Sequence, residues 1–355
     1  VTVTSMHAFG FTAYGGPEVM QHLDVPVPVP GRGELLVRMA AAGVNPADIK
    51  VRSGQRQNAF PVRFPMAVGR EAAGEIVAVG DDVDGWRPGD AVFGAAAAGT
   101  GALADLVVLS AGSVARRPPA VPPEQAACVP VSVGTAWDAL AELDLPAGTA
   151  LLVLGAGGGV GTAVCGLAAA RGITVLGVAS AGKRDLVEGL GAVHVASGDG
   201  WSDRVRAAAA SGVGGAVDGV MDLVGGQVLW DGAALARDPR QIRSVAEPQL
   251  AASLGGSGVT RRRTTAVFTA IVDAVAAGTF TPVVTATWPL AQAEHAVAAV
   301  ETGHAAGNVV VVADTRTVDT LPADRPTRAD DGAARPGDPA PAGDTAVAGS
   351  PDPAP

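Results

Sequence analysis

The stretch Ala150-Leu-Leu-Val-Leu154-Gly155-Ala156-Gly157-Gly158-Gly159-Val160-Gly161 decides how this chain folds, because an apolar run gives way to glycines and then to an Ala-rich segment, Val160–Arg171. A β-strand that turns through glycines into a helix N-terminus presents unpaired backbone N–H groups and the positive end of a helix dipole, which together suit a pyrophosphate. A second apolar strand, Thr174–Val178, follows the Arg171-Gly172 turn and completes a βαβ unit of the length that dinucleotide binding requires. The register Ala156-x-Gly158-x-x-Gly161 puts alanine where the usual fingerprint has its first glycine. A Gly-rich hairpin or linker is the plainer alternative, and the flanking strand and helix argue against it.

The coenzyme is chosen at the end of the second strand, where an NAD site would carry an acid that accepts from the ribose hydroxyls. From Thr174 to Gly182 there is no acid, and the strand runs instead into Ser180-Ala-Gly-Lys183-Arg184. A hydroxyl and two cations suit a ribose phosphate, which a carboxylate would repel. Lys183 carries more weight than Arg184, because the chain has only two lysines, Lys50 and Lys183. Its wealth of Ala, Gly, Val and Arg reads as GC-rich coding bias. NADPH is the expected coenzyme, and a solvated helix start is the structural alternative for the Lys-Arg pair.

A length of 355 residues with 48% apolar content can fill more than one core, so two domains and a tail are expected. The net charge of −10 argues against a nucleic-acid partner, which would call for a basic face. Val1–Phe9 does not resemble a secretory signal; Val1 is read as an alternative start, with Met6 as a second candidate. No run of about eighteen apolar residues offers a membrane span. Cys128 and Cys165 are too few for a disulfide framework, and Cys165 reads as a buried inert thiol. A soluble cytoplasmic protein is expected.

Met6–Asp105 reads as short strands between Gly and Pro turns: Leu35–Ala41, Ala73–Gly80, Ala91–Gly94 and Ala104–Leu109. From Pro130 to about Ala246 helical and strand patterns alternate. Helices are expected over Thr135–Leu143 and Lys183–Leu190, and strands near Ala192, at Val217–Asp222 and at Ile242–Ala246. The pattern is α/β, a doubly wound parallel sheet. Val267, Phe268, Ile271, Val272 and Val275 recur at helical spacing, Ala291–Glu301 makes another helix, and Val309–Ala313 a last strand. Thr315–Pro355 is rich in Pro, Ala, Gly, Asp and Thr and reads as a disordered tail.

Motifs spread from Met6 to Asp314 make the chain resemble the zinc-independent medium-chain dehydrogenases/reductases of the quinone oxidoreductase, zeta-crystallin-like, group. They are Tyr14-Gly-Gly-Pro-Glu18, Gly43-Val-Asn-Pro-Ala-Asp48 with Arg52-Ser-Gly54, Val68-Gly-Arg-Glu71 with Ala73-Gly74, and Gly89-Asp-Ala-Val92. Thr135-Ala-Trp137, the Ala156–Gly161 turn, Ser180 with Lys183, Asp222 with Gly225-Gly226, and Gly303-His-Ala-Ala-Gly307 continue the series. The resemblance implies a GroES-like β-barrel, residues 6–128 completed by 266–314, beside a Rossmann domain, residues 129–265, with a tail over 315–355. It also implies an active cleft between the domains and dimers formed through the nucleotide domain.

Zinc-dependent members of the superfamily use a Cys and a His where this chain carries Asn45 and Arg70, and no cysteines occur between Ala95 and Ala127. No metal is expected. Without a Lewis acid the acceptor must suit a bare hydride donor, as quinones and α,β-unsaturated carbonyls do. Hydride transfer from NADPH to such an acceptor, followed by proton uptake from a side chain or water, is the expected reaction. A pathway-specific enoyl reductase and a non-catalytic NADPH-binding protein on the same fold are the alternatives.

Asn45 and Lys50 are the catalytic candidates, Asn45 to hold a substrate oxygen or the nicotinamide ribose and Lys50 as proton donor or anchor. A turn role for Asn45-Pro46 and a surface role for Lys50 are the structural alternatives. By resemblance Thr135 approaches the nicotinamide, Ala156, Gly158, Gly159 and Val160 the pyrophosphate, and Ser180, Lys183 and Arg184 the adenosine phosphate. Val224, Val245, Ala246 and Asn308 complete the coenzyme set, although the related signature has Gly-Lys where this chain has Gly307-Asn308. Val259-Thr-Arg-Arg-Arg263 would suit an anionic substrate, but the coding bias favours solvated surface for these arginines.

Overall fold

Gly and Pro punctuation divides the first hundred residues into short strands, as expected. The computed structural model describes residues 4–57, 59–212 and 216–314, so the tail expected over 315–355 lies outside the described residues. Strands β1 (Ser5–Phe11), β2 (Met20–Pro26) and β3 (Glu34–Val44) lead to helix α1 (Pro46–Arg52). Then come β4 (Met66–Ala67), β5 (Glu71–Val79), β6 (Ala91–Ala96) and β7 (Leu106–Arg116). Strand β3 pairs antiparallel with both β5 and β7, so the order β3-β5-β6-β7 returns to its start and closes a barrel. Register shifts at Leu36/Val37 and Met39/Ala41 mark irregularities that let β3 curve while serving two neighbours.

Helix α2 (Pro123–Ala127), a π-helical turn (Val129–Val133) and α3 (Gly134–Leu143) leave the barrel. Strands and helices then alternate: β8 (Ala150–Leu154), α4 (Gly159–Ala170), β9 (Thr174–Ala179), α5 (Arg184–Gly189), β10 (Val193–Ala196), α6 (Trp201–Gly212), β11 (Gly219–Asp222), α7 (Gly226–Ala233), β12 (Ile242–Ser244), α8 (Pro248–Ser253) and β13 (Ser257–Gly258). These strands form one parallel sheet in the order β10-β9-β8-β11-β12-β13. Its order reverses at β8 and β11, and ligands of such sheets bind beyond the strand ends at that point. All five residues of β8 are buried, which explains its unbroken apolar run.

Helix α9 (Thr265–Ala276), β14 (Val284–Pro289), α10 (Ala293–Glu301) and β15 (Asn308–Val312) bring the chain back to the barrel, where β15 pairs antiparallel with residues 41–44 of β3. Buried Arg52 on α1 holds Glu301 on α10 through two bonds of 3.0 and 2.6 Å. One apolar cluster contains Phe93 of β6 and Phe268 of α9, with ring centroids 6.2 Å apart, together with Val133, Leu140 and Val164 beneath the nucleotide sheet. The two sheets therefore share a core.

Several expectations need correction. The segment expected as a helix from Lys183 to Leu190 begins as a 3₁₀ turn, Ala181–Lys183, and is α-helical only over Arg184–Gly189. The strand expected at Ala104–Leu109 is displaced to Leu106–Arg116, because its far end finds a partner in β6. Strands β1, β2, β4, β13 and β14 and helices α1, α2, α6, α7 and α8 have no individual counterpart in the sequence expectations. In β2 and β14 exposed polar positions break up the apolar pattern.

Candidate active site

After β8 the chain turns at Gly155, whose φ of 89° favours glycine, and the N–H groups of Gly155 and Ala156 donate to the Val178 carbonyl at 3.1 and 3.0 Å. Gly158 precedes α4 and no side chain caps that helix. A Cβ built on Gly158 would find nothing nearer than Gly155 O at 3.8 Å, so space is open beside the start of α4, whose first-turn N–H groups have no side-chain cap. At Gly161 a Cβ would lie 2.2 Å from Gly155 O, and the helix could not approach the strand.

Ala156, expected among the coenzyme contacts, is fully buried and its N–H is already bonded to the Val178 carbonyl. Its methyl points at Gly177 on β9, where an added Cβ would stand 2.9 Å away. The missing first glycine is thus offset by a glycine on the neighbouring strand.

Lys183 lays its stem over Gly157, where a Cβ would meet Lys183 Cδ at 2.4 Å, and its Nζ donates to Ala305 O at 2.7 Å. Partial burial lowers its pKa. Ser180 is exposed at the end of β9. Arg184 is exposed and pairs with Glu188 at 3.1 Å along its own helix, which is what a solvated helix start does. The return segment crosses the turn: Gly307 N–H donates to Gly157 O at 2.9 Å, and buried Asn308 donates from Nδ2 to Val283 O at 2.9 Å. A Cβ on Gly159 would meet Asn308 Oδ1 at 2.5 Å. Val160 is half-buried against the shared core. Val224 is exposed beyond β11, and half-buried Val245 and Ala246 follow β12. Buried Asp222 ties these strand ends together by accepting from Val224 N–H at 3.0 Å and from Ser244 Oγ at 2.6 Å.

Across from the glycine turn, Asn45 precedes α1, Pro46 opens the helix, and the Asp48 carboxyl accepts from the Asn45 N–H at 2.8 Å. The turn role foreseen for Asn45 is therefore real, but its buried side chain has a second use. Asn45 Nδ2 donates to Glu71 Oε1 at 2.7 Å, and Glu71 Oε2 accepts from Val131 N–H at 2.7 Å. Glu71, at the start of β5, so joins α1 to the π-helical turn that carries the chain into the nucleotide sheet. Thr135, buried in the first turn of α3, donates from Oγ1 to Val131 O at 2.5 Å. Burial pushes the Glu71 carboxyl up to about 8 against its two hydrogen bonds, and that of Asp48 up to about 7. Lys50 is half-buried on α1, and no hydrogen bond or ion pair among the described residues joins its side chain to Asn45, Asp48 or Glu71. Glu71 was not among the sequence candidates; it stood only as Arg70's neighbour in Val68-Gly-Arg-Glu71.

The triple arginine is not plain solvated surface. Arg261 binds Asp138, Gly134 O at 2.6 Å and Pro130 O at 2.8 Å, while Arg262 reaches Asp138 with its N–H at 2.8 Å and its Nε at 2.9 Å. The Asp138 side chain is fully buried, and a buried carboxylate requires such charge-assisted donors. Arg263 is exposed beside them. The Arg70 guanidinium carbon sits 4.0 Å from the centre of the Phe60 ring, and burial lowers both Arg70 and Arg261 to about 10.

A closed barrel sharing its core with a doubly wound parallel sheet, with an open glycine cradle at the strand ends, defines a two-lobed dinucleotide-binding protein. Residues 31–119 match the family described as alcohol dehydrogenase GroES-like domain, and residues 190–311 the one described as zinc-binding dehydrogenase. A chloroplastic quinone-oxidoreductase homolog of Spinacia oleracea is 35% identical over 198 residues, 54% of this chain; the chain spans 60% of that relative's length. The structure of the quinone oxidoreductase from Coxiella burnetii superposes with a TM-score of 0.77 at 25% identity, covering 87% of this chain and 99% of the other. A mycobacterial protein solved as a complex with NADPH gives 0.75 at 30% identity, covering 87% and 100%. The chain belongs to the medium-chain dehydrogenase/reductase family, in its quinone oxidoreductase group.

Proposed function

We propose that this chain is a zinc-independent, NADPH-dependent oxidoreductase that delivers hydride to a quinone or an α,β-unsaturated carbonyl. Nicotinamide chemistry is supported by the family and by the mycobacterial neighbour's complex with NADPH. The phosphorylated coenzyme is supported by Ser180 and Lys183 at the end of β9 and by the lack of an acid there. The observation that carries the reading is the chain of bonds Asn45–Glu71–Val131 beside Thr135, because it fixes an amide where metal-dependent relatives hold a zinc ligand.

The residues at positions 45 and 70 support a reaction without zinc. An amide nitrogen that donates to a carboxyl and a guanidinium stacked on a phenyl ring offer no lone pairs to a cation. Among the described residues no group of three or more His, Cys, Asp or Glu could hold a metal ion.

NADPH, when bound, supplies the hydride. The first-turn N–H groups of α4 would hold its pyrophosphate, and Lys183 would exchange the Ala305 carbonyl for its ribose phosphate. Thr135 has already spent its hydroxyl proton on Val131 O and so offers lone pairs, suited to accept from an amide NH₂. Asn45 has one N–H on Glu71 and keeps the other for a substrate oxygen that gains negative charge as hydride arrives. The proton would come from Lys50 or from water, and no bond among the described residues ties the Lys50 side chain to Asn45 or Glu71.

No helix among the described residues is long and apolar enough to cross a membrane. A cytoplasmic location and a homodimer belong to the same proposal. The decisive measurement is NADPH oxidation against a panel of quinones, enones and enoyl thioesters, with calorimetric titration of the coenzyme. Uptake of NADPH and turnover of small quinones or enones is expected. Turnover confined to an enoyl thioester selects a biosynthetic enoyl reductase, binding without turnover a non-catalytic protein, and stoichiometric zinc in active material overturns the mechanism.

A further inference from the structure

The barrel side of the cleft holds more positive charge than folding uses. Asp138 is fully engaged by Arg261 and Arg262. Arg263, Arg70 and Arg56 make no ion pair among the described residues, yet they lie close enough to act on one another: the charges of Arg263 and Arg56 bear on Arg70, and that of Arg56 on Arg263. They come from three separate segments, the turn after α1, the start of β5 and the approach to α9.

Each is anchored. The Arg56 carbonyl accepts from Ala59 and Phe60 N–H at 3.0 and 2.9 Å, so the turn that carries Arg56 also seats the ring beneath Arg70. The Arg263 carbonyl accepts from Ser113 Oγ at 2.6 Å, and its neighbour Arg262 is pinned to Asp138. Like charges brought near one another raise the free energy of the unliganded protein. The acids that act on them are Asp48 and Glu71, both buried and both accepting from backbone or amide N–H groups, and Asp138, which Arg261 and Arg262 already engage. The coenzyme's phosphates have their own donors on other elements, at α4 and Lys183. Arg70 directly precedes Glu71, which holds Asn45, so the cluster borders the place assigned to the substrate oxygen.

We infer that the substrate carries an anionic group, a carboxylate or a phosphate, held by Arg56, Arg70 and Arg263 while its reducible end faces Asn45. The inference rests on the oxidoreductase reading for the word substrate, but the anion site can be tested without turnover. Calorimetric titrations of naphthoate, naphthyl phosphate and neutral naphthalenemethanol into the protein saturated with NADP⁺ measure it directly. One or both anions should bind at least tenfold more tightly than the alcohol, with an advantage that shrinks as salt is added. Arg263→Met and, independently, Arg56→Met should each cut the anion-to-alcohol ratio about tenfold. The stronger anion identifies the group. Equal binding of acid and alcohol, or an unchanged ratio in both variants, overturns the inference. A protein that reduces no acceptor yet keeps the ratio overturns the proposed reaction alone, and an active protein without the ratio overturns the anion site alone.

Discussion

The glycine turn and the region around Asn45 are built from different materials. At the turn the groups on offer belong to the backbone, arranged by Gly155, Gly158 and Gly161 within a few residues of one another. Across from it they are side chains, Asn45, Glu71, Asp138 and Arg261, held by bonds between segments 26, 60 and 123 residues apart. A backbone site depends on space, so it tolerates any residue that leaves the cradle open. A buried side-chain site depends on partners, and removing one strands the other.

Asp138→Ala should have the largest effect, since it leaves Arg261 with its charge half-buried and unpaired. A loss of about 3–5 kcal/mol in urea unfolding is expected. A loss below about 1 kcal/mol would show that the buried side-chain region is no more partner-dependent than an exposed ion pair. At the glycine turn Lys183→Ala should leave folding largely intact and lower the preference for NADPH over NADH by roughly ten- to a hundredfold, one charge-assisted contact of about 1.5–3 kcal/mol. An unchanged ratio of the two dissociation constants would remove Lys183 from the phosphate site.

The third effect is a slope. Folding raises Asp48 from 3.8 to about 7 and Glu71 from 4.5 to about 8, so the native state holds these protons more tightly than the unfolded chain. Their contribution is fully present below the ordinary carboxyl range and is lost as pH rises towards 8, by at most about 1.4 kcal/mol per pH unit for each group. Glu71→Gln should flatten stability against pH between about 4.5 and 8, whatever its effect on absolute stability. Parallel curves for the variant and the parent protein would place the titrating proton elsewhere.

The same contrast explains what could be read before any coordinates. The glycine turn and its βαβ unit were legible because strand periodicity, positive-φ glycines and helix starts are local events, and β8 runs Ala150–Leu154 as expected. Lys183 could be singled out because a lysine is rare in this chain. Glu71 could not, since nothing along the chain links residue 71 to an amide at 45 and an N–H at 131. Arg261 and Arg262 were misjudged for the same reason: their partner Asp138 lies on α3, and composition speaks for arginines in general rather than for these. Strands β2 and β14 escaped because exposed edges carry little apolar patterning.

The Ala156 methyl and the bare α-carbon of Gly177 make the turn and its neighbouring strand one cassette for protein engineers. A chimera that imports β9 with any side chain at 177 would drive it against Ala156 and against Val187 of α5, each 2.9 Å from the new carbon. Grafts in this lobe therefore succeed or fail by whether residues 156, 177 and 187 travel from the same parent.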